Sequence, residues 1–131
     1  MTHPLPILKT VLTSLLAAGA FSAATVPLPL PAGRMLHGSV GPFFSITLEQ
    51  DGKPVTSLRP GIYWLTVDDN SGVHNFHIIG PGLDDVVTSV PFQGTVTHKI
   101  HLRHGSYHYQ CDPHSFAMFG DFTVSGVGQN P

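Results

Sequence analysis

The feature that most constrains the fold of this chain is a series of short runs rich in β-branched and aromatic residues, which begins at residue 43. Gly, Pro, Asn and Asp separate the runs at intervals of about 8–12 residues, a spacing typical of all-β sandwiches and barrels. The runs predict strands near 43–50, 62–68, 75–79, 95–102, 105–111 and 120–124. Since no segment has the length and period of an amphipathic helix, we predict an all-β fold, either a sandwich or a barrel.

The beginning of the chain differs in composition from the rest. Lys9 is followed by an uncharged run of apolar and small residues, with small residues suited to cleavage near its end. This layout predicts a signal peptide at 1–24, a Pro-rich linker and N-terminal extension at 25–42, and one domain at 43–131. The protein would then be exported, to the periplasm or out of the cell. A membrane anchor would require an uncleaved leader, and the run is shorter than the ~20 residues of a spanning helix.

The charge pattern argues against one large class of partner. After residue 24 the chain has five Lys and Arg against eight Asp and Glu, with no basic run and no basic stripe interleaved with aromatic residues. Nothing here attracts a polyanion, so we predict no nucleic-acid partner. The unusual count is nine histidines against one cysteine, because His is the commonest metal ligand in proteins.

The single cysteine lies in the stretch YQCDPHSFAMFG, residues 109–120. Cys111, His114 and Met118 fall within eight residues between two predicted strands, and they offer a thiolate, an imidazole and a thioether. With a second imidazole, this is the ligand set of a blue-copper electron-transfer site. His74 is the candidate for that imidazole, since it follows a predicted turn and stands directly before an apolar strand.

Two segments together resemble the cupredoxin family, the small plastocyanin-like and azurin-like blue copper proteins. One is His74 with the asparagine that follows it in GVHNFHIIGPG, and the other is the pattern Cys-x-Pro-His-x-x-x-Met-x-Gly that begins at Cys111. The resemblance covers about residues 43–124. It implies a cupredoxin-like Greek-key β-sandwich that holds one type 1 copper ion, with His74, Cys111, His114 and Met118 as the ligands.

The resemblance also implies how the residues around the ion would work. Copper would cycle between Cu(II) and Cu(I), and the protein would shuttle single electrons without acting as an enzyme and without a small-molecule substrate. Asn75 would form hydrogen bonds to the cysteine loop and brace it. His114 would be the solvent-facing edge through which an electron leaves. The partners would be other redox proteins, which dock transiently on a small apolar patch around His114.

Other functions fit the same residues. A protein that delivers, buffers or senses copper, without an electron-transfer role, would share the fold and most of the ligands. Cys111 could also be an inert buried thiol in a metal-free interaction domain. A Cys–His hydrolase is the enzyme alternative, but the sequence around Cys111 has no helix start of the kind that commonly stabilises a thiolate nucleophile.

Several single residues also have two interpretations. His77 is the rival of His74, but residues three apart on a strand point to opposite faces and are poorly placed to share an ion. Trp64 is predicted to be core, and Phe116 and Phe119 to be packing residues that shield the site. A second metal site is the weaker hypothesis for a group of histidines spaced along two predicted strands and their turn. The group consists of His98, His101, His104 and His108.

Overall fold

The computed structural model describes residues 34–128, which form ten β-strands and one 3₁₀ turn at Asp112–His114. The strands are β1 (Met35–Val40), β2 (Ile46–Gln50), β3 (Lys53–Pro54), β4 (Ser57–Leu58), β5 (Gly61–Asp69), β6 (Phe76–Gly80), β7 (Leu83–Thr88), β8 (Gly94–Leu102), β9 (Gly105–Gln110) and β10 (Phe119–Val124). No helix in residues 34–128 has the length and apolar character needed to span a membrane. The predicted signal peptide lies outside the described residues.

The strands form two five-stranded sheets that pack face to face. Sheet I has the order β3-β2-β1-β5-β8, and sheet II has the order β4-β10-β9-β6-β7. Most neighbours are antiparallel, but β1 pairs in parallel with β5, and β4 with β10. The chain crosses repeatedly from one sheet to the other, as in Greek-key sandwiches. The predicted fold class is therefore confirmed.

Alternate side chains of each strand fill the space between the two sheets. In β5, Tyr63, Leu65 and Val67 are buried in this core, whereas Trp64 faces outward. The prediction that Trp64 is a core residue is wrong, because its side chain is 37% exposed and Lys99 Nζ lies 5.7 Å from the centre of its ring. The cause is the two-residue period of a strand, which turns a residue between two inward positions to the outside.

The first strand lies inside the segment predicted to be an N-terminal extension. β1 occupies the centre of sheet I, where Leu36 and Val40 are buried. The sequence does not predict β1 as a strand because it contains Gly38, and Gly is depleted in strands. That glycine is required by packing, because a Cβ atom at Gly38 would lie 2.9 Å from the ring of Phe76. The predicted strand at 43–50 begins only at Ile46, after a turn that separates β1 from β2.

Strand β7 is also missing from the sequence prediction. It is an edge strand of sheet II and contains Asp84 and Asp85, a residue type that is depleted in strands. Charged side chains are nevertheless common on edge strands, where they discourage pairing with a second molecule. Asp84 is 79% exposed at its side chain, which fits that position.

One end of the sandwich collects both segments singled out in the sequence. The last residue of β5, Asp69, lies between Val40 at the end of β1 and Gly94 at the start of β8. The chain then passes through the loop 70–75 into β6. Because β9 runs antiparallel to β6, its last residue, Gln110, pairs with the beginning of β6. We call this end of the sandwich the upper end.

Candidate metal centre

His74 is held in place by the short loop that connects β5 to β6. Its backbone N–H donates to the carbonyl oxygen of Ser71 at 3.1 Å, and the Ser71 N–H donates to the carboxylate of Asp69 at 3.1 Å. These bonds close a turn at the upper end, so that the imidazole of His74 is buried at 4% exposure. A His residue in this position can turn its ring toward neighbouring loops.

The loop after β9 folds back on itself. The Cys111 N–H donates to the Met118 carbonyl oxygen at 2.9 Å, and the Met118 N–H donates to the His114 carbonyl oxygen at 2.9 Å. Pro113 fits the start of the 3₁₀ turn, where a backbone N–H has no partner to lose. The His114 N–H donates to the Cys111 carbonyl oxygen at 3.0 Å, which brings both side chains to one side of the loop.

Three side-chain atoms converge at the upper end. Cys111 Sγ lies 3.6 Å from His74 Nδ1 and 3.6 Å from His114 Nδ1, and the two nitrogens are 3.0 Å apart. Among residues 34–128, these side chains are the one group of at least three His, Cys, Asp or Glu residues whose ligand atoms all lie within 4.8 Å of one another. Cys111 and His74 are buried, and His114 is half-buried.

The triangle of these atoms has the size of a metal site. A triangle with sides of 3.6, 3.6 and 3.0 Å has its centre about 2.0 Å from each corner. Metal–nitrogen bonds are about 2.0–2.1 Å long, and a metal–sulfur bond is about 2.3 Å, as for zinc. An ion therefore fits among the three atoms after a small outward shift of the sulfur. A His₂Cys trigonal set is the arrangement found in blue-copper sites.

Met118 lies close to this triangle along the chain and is fully buried. Its backbone closes the loop through the bonds to Cys111 and His114 described above. The thioether is thus enclosed in the protein rather than presented to solvent. The assignment of Met118 as a fourth, axial ligand stays a prediction.

Asn75 joins the two loops that carry the converging side chains. Its Nδ2 donates to Asp112 Oδ2 at 2.8 Å, and its Oδ1 accepts the backbone N–H of Asp112 at 2.7 Å. The expected hydrogen bonds from Asn75 to the cysteine loop are therefore confirmed. The partner of Asn75 is Asp112, the residue directly after the cysteine.

His114 lies at the surface under an aromatic ring. The ring of Phe44, from the loop between β1 and β2, meets the His114 ring edge-on with 5.0 Å between their centres, and its centre is 6.1 Å from that of His74. The prediction that Phe116 and Phe119 shield the site is wrong, since they are 79% and 50% exposed. Phe119 is the first residue of β10, and its ring stacks against that of His108 with 5.7 Å between their centres.

His77 lies on the outer face of sheet II. The strand period turns it away from Phe76 and Ile78, which are buried on the inner face. Its Nδ1 is 2.8 Å from Asp112 Oδ1, and its Nε2 is 2.6 Å from Asp84 Oδ1. The alternation of faces separates His77 from His74 as predicted, but neither carboxylate partner is evident from the sequence.

The four histidines considered for a second metal site do not form a cluster of ligand atoms in the described part of the chain. His98 Nδ1 is 2.8 Å from Asp85, and His108 Nδ1 is 2.7 Å from Asp121. His101 and His104 are exposed. These positions follow from the alternation of faces along β8 and β9.

The fold and the site together define a class of protein. The chain is a cupredoxin-like β-sandwich with a His74–Cys111–His114 group that could bind one copper ion. No protein-family model matches the sequence, and no curated protein sequence matches it significantly.

Solved structures similar to this chain include reduced rusticyanin, with 24% identity, coverage of 71% of this chain and 81% of that chain, and a TM-score of 0.49. An oxidized amicyanin variant has 16% identity, coverage of 76% and 87%, and a TM-score of 0.46. A chain of a heme-copper terminal oxidase dimer has 18% identity, coverage of 70% and 63%, and a TM-score of 0.49. Another rusticyanin structure is described as that of a copper protein.

Proposed function

We propose that this protein is a type 1 copper protein that carries single electrons between redox partners, without turning over a substrate. The observation that carries this proposal is the triangle of Cys111 Sγ, His74 Nδ1 and His114 Nδ1, whose size fits a metal ion after a small outward shift of the sulfur. Met118 would supply the weak axial contact. When bound, copper supplies the one-electron change between Cu(II) and Cu(I).

The residues around the triangle favour electron transfer because they limit the movement of its ligands. His74 and Cys111 each stand directly before one partner of the Asn75–Asp112 pair, so the two hydrogen bonds of that pair fix both ligand segments together. The cysteine loop is also closed by its own backbone bonds. A ligand set that is held in one geometry suits both oxidation states of the metal.

The surface around His114 supports transient docking of a partner. Large apolar side chains on three loops at the upper end are exposed rather than buried. They are Phe43 at 86%, Phe44 at 62%, Val73 at 62% and Phe116 at 79%. Exposed apolar groups that surround a functional edge mark protein–protein contact sites. We propose that redox proteins dock here, next to the half-buried ring of His114, and that the protein does this after export.

Copper titration of the apoprotein tests the proposal. The reduced chain from residue 25 onward is titrated anaerobically with Cu(II), and its visible spectrum is recorded beside those of Cys111→Ala, His74→Ala and His77→Gln. We expect one intense charge-transfer band at one equivalent of copper. The band is lost in Cys111→Ala, is lost or altered in His74→Ala, and persists in His77→Gln, the matched control at the other histidine of the same segment.

Two other results would point to different functions. Weak absorption with copper that a chelator removes quickly would favour delivery, buffering or sensing of copper over electron transfer. The absence of specific copper binding would favour a metal-free interaction domain, in which Cys111 is a core thiol. Reversible one-electron voltammetry of the loaded protein separates electron transfer from the delivery, buffering or sensing of copper.

A further inference from the structure

A line of hydrogen bonds crosses the outer face of sheet II and ends next to the metal-binding loop. It begins at Asp84 on the edge strand β7, passes through His77 on β6, and reaches Asp112 in the 3₁₀ turn. Asp112 also accepts a hydrogen bond from Gln110 Nε2 at 2.8 Å and is paired with Asn75. Asp112 therefore connects the cysteine loop to three separate strands or loops.

His77 contacts a carboxylate oxygen through each of its ring nitrogens, at 2.8 Å and 2.6 Å. A neutral imidazole carries one N–H, so it can donate to only one of the two carboxylates. Both contacts are hydrogen bonds only when the ring is an imidazolium with two N–H groups. The geometry alone thus favours a positive charge on His77, between two negative charges.

The environment of His77 supports this charge. Partial burial lowers its pKa, but the hydrogen bonds and charges of Asp112 and Asp84 outweigh burial and raise the pKa above the ordinary 6.5. Burial raises the pKa of Asp112, yet hydrogen bonds from His77, Gln110 and Asn75 bring it below its ordinary value. The side chain of His77 is only 15% exposed, so solvent screens the bridge incompletely.

We propose that His77 is a positioning residue whose imidazolium ties Asp112, and with it the Cys111–His114 segment, to Asp84 on the edge strand. The bridge would add a third anchor to the two hydrogen bonds from Asn75. It is distinct from a ligand role, because both nitrogens of His77 are occupied by carboxylates. That the bridge serves copper rests on the proposed function, whereas the bridge itself does not.

The groups that face His77 from the neighbouring elements determine how the bridge responds to pH. Asp84 faces it from β7, and Asp112 from the 3₁₀ turn. Gln110 on β9, the strand partner of His77, is neutral. His108 lies farther along β9, and its Nε2 is 3.1 Å from Gln110 Oε1. As the pH rises through the pKa of His77, the ring loses one N–H and the bridge loses one of its two bonds.

The first test uses the apoprotein of the full chain, without copper. The nitrogen resonances of the His77 ring are followed by NMR as a function of pH, and hydrogen exchange is measured at the Asp112 amide. We expect a predominantly doubly protonated ring at pH 6.5, the ordinary pKa of histidine. In Asp84→Asn and His77→Gln, we expect exchange at Asp112 to be about tenfold faster, the effect of losing one charged hydrogen bond. Amides of β5 and β8 should exchange at unchanged rates.

Asp85→Asn is the matched control. Asp85 is the neighbour of Asp84 on β7 and also binds a histidine, His98, at 2.8 Å, but it does not contact Asp112. We expect Asp85→Asn to leave the His77 titration and the Asp112 exchange unchanged. A predominantly singly protonated His77 at pH 6.5, or equal exchange at Asp112 in all four proteins, would overturn the proposal.

The second test is the reduction potential of the copper-loaded protein as a function of pH. Loss of a positive charge near the metal stabilises Cu(II), so we expect the wild-type potential to fall as His77 deprotonates. His77→Gln should lack this step, and Asp85→Asn should keep it. A step of equal size in His77→Gln would contradict the positioning role. A protein that shows the bridge in the apo form but binds no copper would contradict the proposed function and overturn only the copper role assigned to the bridge.

Discussion

Asn75 and Asp112, which are 37 residues apart in the sequence, are joined by two hydrogen bonds that run in opposite directions. One bond uses the Asn75 amide as donor, and the other uses the Asp112 backbone N–H as donor. Since His74 and Cys111 are the residues directly before them, this pair sets the spacing of two of the three converging side chains. The distance between a loop histidine and a loop cysteine is thus controlled by residues that need not touch the metal.

Replacing Asn75 by Ala should destabilise the apoprotein. The substitution removes both hydrogen bonds and leaves the Asp112 N–H without its partner, which costs about 1–3 kcal/mol in the free energy of unfolding. Urea unfolding monitored by fluorescence measures this loss. Asn70→Ala is the control, because the side-chain contacts of Asn70 are long, at 3.3–3.4 Å, and its side chain is exposed. An equal loss in both variants would contradict the bracing role of Asn75.

Replacing Phe44 by Ala should open the site to solvent. The Phe44 ring packs edge-on against the His114 ring, and such contacts are worth about 0.5–1.5 kcal/mol. We expect a chelator to remove copper from the loaded variant roughly twofold to tenfold faster than from the wild type. Phe43→Ala tests the alternative that any exposed ring in this loop protects the metal, since Phe43 is 86% exposed. Equal rates in the two variants would assign no special role to Phe44.

Replacing Gly120 by Ala should weaken the sandwich next to the metal loop. The hydrogen atom of Gly120 that a Cβ would replace faces the ring of Tyr109 on the neighbouring strand, and a methyl group would overlap that ring. Overpacking of this kind costs about 1–3 kcal/mol or more. Thermal unfolding of the apoprotein measures the effect. At Gly128 a Cβ would meet only the Pro60 carbonyl oxygen at 3.8 Å, so Gly128→Ala should leave the melting temperature unchanged.

The stability of the apoprotein should fall on both sides of a weakly acidic window. The pKa of Asp112 is below its ordinary 3.8, so its stabilisation is complete above 3.8 and is lost as the pH falls through the folded-state value. The pKa of His77 is above 6.5, so its stabilisation is complete below 6.5 and is lost as the pH rises through the folded-state value. Urea unfolding from about pH 3 to about pH 9 should therefore show a decline above pH 6.5 that is reduced in His77→Gln.

Removing residues 1–42 should prevent cooperative folding. The truncation deletes β1, which pairs with both β2 and β5 and contributes two buried core side chains to sheet I. A chain that begins at residue 25 keeps the strand, and we expect it to fold. Circular dichroism and the dispersion of amide resonances distinguish the two chains. A well-dispersed spectrum from the shorter chain would show that β2 and β5 can form the sheet without β1.

The sequence was informative where the chemistry is local. The thiolate, imidazole and thioether within eight residues identify one loop, and a histidine before an apolar strand identifies the other. The strand pattern also predicts the fold class, because turn residues separate short β-rich runs. The structure brings His74, Cys111 and His114 together, whereas their binding of copper and the part of Met118 stay predictions.

The features that the sequence does not reveal all depend on long-range contacts. Asp112 has the appearance of an ordinary turn residue, and only the fold places it between Asn75 and His77. Phe44 reaches the site from a loop some 70 residues before His114 in the chain, a distance that no local pattern encodes. β7 escapes detection because an edge strand tolerates acidic residues that a central strand would exclude.

The place of β1 in sheet I also determines how the domain is attached to whatever precedes it. The strand ends at the upper end, next to the loop that carries Phe44, and its six residues rise about 3.3 Å each toward the opposite end. Arg34 thus enters the sandwich about 20 Å from Val40 at the upper end, where its carbonyl oxygen accepts a hydrogen bond from the Trp64 N–H. A tether at this point would hold the domain by the end opposite to His114 and leave the upper end facing outward.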